Sequence, residues 1–203
     1  MTKPWEKRAI VKKGSKRKHS FCIFTEGETE RLYFNDFPLT NVKVKCVGLG
    51  GGGVQNLVKE ATRLMKKESA FADFDHYFLV FDHDNNTSDA IKNAIAMAET
   101  KKLQWCYSNP CFELWLLLHF DFHNTATTPT ELKKRLLPKK INGYKETMPN
   151  IYKLLQANQS QAISFAEKLL ENDNWPKRFF SINPCTNVHD LVKKLNLFLT
   201  VTV

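Results

Sequence analysis

The 203-residue chain has no C-x-x-C pair and no Cys/His spacing of the zinc-binding kind. Its cysteines are few and odd in number: Cys22, Cys46, Cys106, Cys111 and Cys185. Four of them sit in or beside apolar runs, which argues against a disulfide framework and for reduced, mostly buried thiols in a cytoplasmic protein. The longest apolar run, Leu114 to Leu118, is far too short to span a bilayer. The basic N-terminus is followed by no apolar stretch of signal-peptide length. No G-x-x-x-x-G-K-[ST] is present, so no ATP-binding loop is expected. Gly and Pro, at 8 each, are too sparse for a fibrous or disordered chain, and Gly50–Gly53 is the sole low-complexity segment.

What is present suits one compact domain, or one domain with a small appendage. Apolar residues make up 42% of the chain, enough to bury a core. The net charge of +9 is uneven: the first twenty residues hold eight Lys or Arg against one acid. Residues 1–19 therefore read as a basic arm. Its Lys12, Lys13, Lys16, Arg17 and Lys18 are candidates for contact with a phosphate backbone, and equally a solvated terminus.

From Phe21 onward, short apolar runs alternate with amphipathic segments. Strands are expected at 21–24, 42–47, 77–81 and 104–107. Between them lie helical patterns, one carrying Leu32, Phe34 and Phe37, one Val54, Leu57, Val58, Ala61 and Leu64, and one Ile91, Ala94, Ile95 and Ala98. Thr87 or Ser88 is a plausible N-cap for the last. This alternation predicts βαβ units and an α/β fold, a mostly parallel sheet flanked by helices, over residues 20–124. The segment 111–120 reads as a buried helix with Pro110 in its first turn. Residues 125–203 read as a helical region packed on the core. Thr128-Pro129-Thr130-Glu131 forms a capping box there, and further helices are expected over about 151–171 and 187–197.

The chemistry concentrates at two strand ends, Glu26-Gly27-Glu28-Thr29-Glu30 and Asp82-His83-Asp84. In an extended chain, residues i and i+2 share a side, so Asp82 and Asp84 are expected to face one point with His83 turned away. Open α/β sheets gather ligands beyond the carboxyl ends of their strands. Three carboxylates meeting there repel one another unless a cation intervenes, and hard oxygen donors suit Mg²⁺ or Mn²⁺. A D-x-D after a strand is also ordinary turn chemistry. The conjunction of both motifs is the more specific signal.

The chain resembles the RloB family, which is Toprim-like. The resemblance rests on Phe21 through Glu30 with Tyr33-Phe34, on Phe81-Asp82-His83-Asp84-Asn85, on Ser108-Asn109-Pro110-Cys111-Phe112-Glu113-Leu114-Trp115 through Phe120, and on Asn183-Pro184-Cys185-Thr186-Asn187-Val188-His189. The E-G and D-x-D pieces mark Toprim proteins in general, and the Asn-Pro-Cys-Phe-Glu-Leu-Trp segment is the piece particular to RloB. The resemblance implies a Mg²⁺-dependent nuclease akin to OLD-type enzymes, linked to phage defence and often to an ATPase companion. By motif, Glu26 would be a general acid/base or metal ligand, and Asp82 and Asp84 would hold the metal. No nucleophilic-tyrosine domain of the topoisomerase kind is evident, and neither are the extra parts of a primase.

Glu30, four residues after Glu26, and Glu113, an acid inside an apolar helix, are further candidates for catalysis; Glu113 is equally a helix-capping acid. The glycine run could present backbone N–H groups to a phosphate, or be a plain turn. His189 could approach the site from the helical region. Lys133, Lys134, Arg135, Lys139 and Lys140 form a second basic cluster that could track a nucleic acid or be a solvated face. A non-catalytic module that binds nucleic acid or an ATPase partner is the competing expectation.

Overall fold

The computed structural model describes residues 19–39, 42–50, 52–84, 86–171 and 179–199. The basic arm, with Lys12, Lys13, Lys16, Arg17 and Lys18, lies outside them. Along the chain run β1 (His19–Thr25), α1 (Glu28–Asn35), β2 (Val42–Gly48), α2 (Gly53–Lys67), β3 (His76–Asp82), α3 (Ser88–Thr100), β4 (Gln104–Asn109) and α4 (Glu113–Leu117). They are followed by α5 (Pro129–Glu131), α6 (Leu137–Lys140), α7 (Ile151–Leu155), α8 (Gln159–Leu170), β5 (Cys185–Thr186) and α9 (Val188–Asn196).

All four expected strands form, and they pair in the order β2-β1-β3-β4, every neighbour parallel. The two-residue β5 adds to β4 antiparallel, so the fold is α/β with a mostly parallel, mixed sheet. β1 and β3 read as unbroken apolar runs because both faces are covered, whereas β2, at the sheet edge, alternates Val with Lys. Phe21, Ile23, Phe78 and Val80 point into one core, shared with Tyr33 and Phe34 of α1, Trp115 of α4 and the C-terminal helices. Cys22, Phe24, Leu79 and Phe81 point into the other, under Leu57, Val58 and Ala61 of α2 and Ile91, Ala94 and Ala98 of α3. Among the described residues, no helix is long and apolar enough to cross a membrane.

The missed fifth strand explains two of the recognised segments. Ser108 and Asn109 pair with Thr186 and Cys185. Beyond that pair, Asn187 Oδ1 accepts from the Tyr107 N–H at 2.7 Å, and its Nδ2 donates to the Trp105 carbonyl at 3.3 Å. One asparagine side chain thereby continues a strand too short to satisfy the β4 edge alone.

Two details depart from expectation. Pro110 is not in the first turn of α4, which starts three residues later at Glu113. The reason is that the chain before it stays extended to serve the neighbouring turn: the Ser108 and Pro110 carbonyls accept from the His83 and Asp84 N–H groups at 2.8 and 3.0 Å. The region 129–140 is helical, and Thr128 Oγ1 caps it by accepting from the Glu131 N–H at 3.2 Å. Its middle, Leu132–Leu136, widens into a π turn closed by the Leu137 N–H on the Leu132 carbonyl. Pro138 has no N–H to offer and its ring disfavours the tighter turn before it. The widened turn puts Leu132 and Leu137, five apart, both into the core.

Candidate active site

β1 and β3 are adjacent and parallel, so their carboxyl ends lie side by side. The chain leaving β1 stays pinned there, because the Glu26 N–H donates to the Val80 carbonyl at 3.1 Å. Glu30 follows on the first turn of α1. Glu113 enters from the N-terminal end of α4, after the next strand over. Glu26, Glu30, Asp82, Asp84 and Glu113 all line one cavity of about 290 Å³. A larger and more apolar cavity of about 530 Å³, bounded by Phe78, Trp105 and Leu197, lies at the opposite end of the strands and contains no such cluster.

The convergence does not come about as the D-x-D spacing suggested. β3 ends at Asp82, and Asp84 sits in a turn with φ of +32°, so the period-two rule does not apply to it. Asp84 reaches the cavity through turn geometry. His83 does turn aside: its Nδ1 is 2.9 Å from the Tyr107 hydroxyl. His189 does not approach the cavity. It is buried in the first turn of α9, with Nε2 3.5 Å from Asp190 Oδ1.

Burial and mutual repulsion dominate the electrostatics. Glu30 is only 3% exposed, and burial, then the Glu113 and Glu26 charges, push its pKa up to about 8. Asp82 is held well above the usual carboxylate range by burial first and then by Glu30, Glu113 and Glu26. Glu26 is raised too, by burial and by Asp84, against a hydrogen bond from the Asp82 backbone that lowers it. Glu28 differs from these. It lies on the rim, accepts from Arg31 Nε at 2.7 Å, and is shifted below its ordinary value by that bond.

Several groups at the cavity come from the helical region, and the acidic motifs alone do not announce them. The Tyr144 hydroxyl donates to Glu113 Oε1 at 3.1 Å, so Glu113 is a bonded wall of the cavity rather than a solvent-facing capping acid. Lys133 Nζ lies 3.9 Å from Glu113 Oε2 and 3.1 Å from Glu146 Oε2. The Thr29 hydroxyl donates to the Glu146 carbonyl. Lys133 was legible only as part of a basic cluster, and Tyr144 and Glu146 carried no signal at all.

The start of α2, just after the glycine run, is already bonded. Asn86, just beyond the D-x-D turn, accepts from the Val54 N–H at the start of α2 through its Oδ1 (3.1 Å) and donates to the Asp82 carbonyl through Nδ2 (3.2 Å). Gly53, at φ of +77°, leaves no room for a side chain, since a Cβ would lie 2.9 Å from that Oδ1. One asparagine thus ties the start of α2 to the acidic turn.

The donor set can be tested against a hard divalent cation. Glu26 Oε2 and Asp82 Oδ1 are buried and lack a hydrogen-bond partner. Orphaned carboxylate oxygens in a cluster of like charges are what Mg²⁺ or Mn²⁺ would satisfy. Even so, among the described residues no group of three or more His, Cys, Asp or Glu side chains is arranged so that it could hold a metal ion as it stands.

The family described as RloB-like protein matches residues 21–195, most of the chain. The chain belongs to the RloB family. The match takes in every residue named above for the acidic cavity, together with the β5 segment that closes the sheet of this RloB-family chain. No curated protein and no solved structure matches it.

Proposed function

We propose that this RloB-family chain is a Mg²⁺- or Mn²⁺-dependent nuclease of Toprim type that cuts DNA or RNA phosphodiesters. In the cell it would serve as an effector of anti-phage defence, alongside an ATPase companion. The observation that carries the reading is the meeting of five carboxylates, from β1–α1, β3 and α4, on one cavity with two buried oxygens unpartnered. Glu26, Asp82 and Asp84 would hold the cation. When bound, it would supply Lewis acidity and offset the developing charge on phosphorus-bound oxygens. Where Asp82 and Asp84 alone hold the cation, Glu26 would instead be the group that moves a proton, since it is not fully buried. Glu30 and Glu113 would complete the acidic wall. The basic arm would add affinity for the phosphate backbone.

The test is cleavage of labelled DNA and RNA by purified protein with Mg²⁺ or Mn²⁺, set against Glu26→Ala and Asp82→Ala. Loss of cleavage by at least about 100-fold is expected, the size of effect seen when a group stabilising the transition state is removed. Cleavage by both variants at the wild-type rate would sink the proposal. The acids standing apart rather than in a closed ligand set favour one alternative, a non-catalytic module that binds nucleic acid or an ATPase partner. Calorimetry with Mn²⁺ decides between them, since that module takes up no ion.

A further inference from the structure

Lys133 is the one basic residue among the described residues that line the acidic cavity. Its side chain is 26% exposed, and its ammonium sits between two carboxylates of different standing. Glu113 is 3% exposed and already bonded by Tyr144, so it is fixed. The Glu146 side chain is 59% exposed and makes the shorter contact, 3.1 Å against 3.9 Å. Glu146 belongs to an irregular stretch after α6, attached here by its backbone carbonyl to Thr29. Its carboxylate can therefore leave while its backbone stays.

We propose that Lys133 receives a nonbridging phosphate oxygen of the substrate, and that the Glu146 carboxylate holds that place in the free chain. The inference rests on the phosphodiester reading above and assigns its anion contact. A polyanion entering a cavity walled by acids needs a cation beside the metal position, and Lys133 supplies it from the helical region. Glu146 is a cheap placeholder. An exposed carboxylate regains water when displaced, and a pair exposed on one side contributes little. A phosphate oxygen offers the ammonium the same charge-assisted hydrogen bond. The π turn directs Lys133 inward by placing Leu132 and Leu137 in the core on either side of the helix segment that carries it.

Fluorescence anisotropy with short labelled single-stranded DNA and RNA of one sequence tests this, with Ca²⁺ replacing Mg²⁺ to restrain cutting and in parallel without metal. Glu146→Gln is expected to tighten binding about fivefold and Lys133→Met to weaken it about tenfold, with Lys133→Arg near wild type. The decisive protein is the double variant, which should bind like Lys133→Met alone, because the glutamate matters only where it occupies the lysine. The same pattern with either strand supports the proposal and identifies which nucleic acid the site takes. Equal tightening by Glu146→Gln with and without Lys133 would reveal a general charge effect and overturn it. So would wild-type affinity in Lys133→Met, or no measurable binding by the Glu146→Gln protein. Mn²⁺ calorimetry on the wild type reports separately on the metal reading, so either idea can fail alone.

Discussion

Gly27 has no side chain, and the Glu30 carboxylate occupies the space where one would be. A Cβ at position 27 would fall on Glu30 Oε2, with Cδ and Oε1 at 3.1 and 3.2 Å. The backbone there is extended, at φ of −113°, so the position requires room rather than a left-handed conformation. Gly27→Ala is accordingly expected to displace Glu30 and lower Mn²⁺ affinity. It should destabilise the fold by about 1–3 kcal/mol, the usual cost of overpacking a tight site. Calorimetry and chemical denaturation measure both, and an alanine variant with unchanged metal affinity and stability would refute the account. The E-G-x-x-E spacing was readable in sequence as a cluster of acids. The reason for the glycine was not, because it depends on where a side chain one turn later comes to rest.

At the scale of elements, β1 and β3 were legible because burial on both faces leaves unbroken apolar runs, β2 because it alternates with period two, and the amphipathic helices because one face of each is wet. β5 was not legible: two residues carry no period, and the pairing is continued by Asn187 through its side chain as well as its backbone N–H. The shared side for Asp82 and Asp84 failed as a mechanism because strand geometry ends at Asp82. The cavity forms nonetheless because a turn brings Asp84 round. That turn is held by Asn86, which bonds both the start of α2 and the last residue of β3. Asn86→Ala removes two side-chain hydrogen bonds and is expected to cost about 1–2 kcal/mol, comparable to losing a helix cap. It should also raise hydrogen exchange at the Val54 amide. Unchanged exchange there would mean that the start of α2 stands without it.

At the scale of the whole molecule, the cavity sets fold stability against site function, and pH shows it. Glu30 has an ordinary carboxyl pKa of 4.5 when unfolded and about 8 when folded. The folded chain therefore binds the proton more tightly, and the stability gained is complete below about 4.5 and lost as pH climbs towards 8. Asp82 and Glu26, also raised, act in the same direction. Buried His119 opposes them. Its pKa is lowered from 6.5 to about 4, so its contribution is full above 6.5 and lost as pH falls towards 4. A melting curve alone mixes these slopes, and the difference between wild type and Glu30→Gln separates them. The amide copies the protonated acid at every pH. The variant should match the wild type near pH 5 and melt higher at pH 8 without metal, by on the order of 5 °C. Millimolar Mn²⁺ should narrow the gap at pH 8, since a cation among the neighbouring carboxylates offsets the repulsion that Glu30 adds. If Glu30→Gln melts lower than wild type at pH 8 in chelator, the charged acids are not held in mutual repulsion, and this physical case for a cation at the cavity is lost.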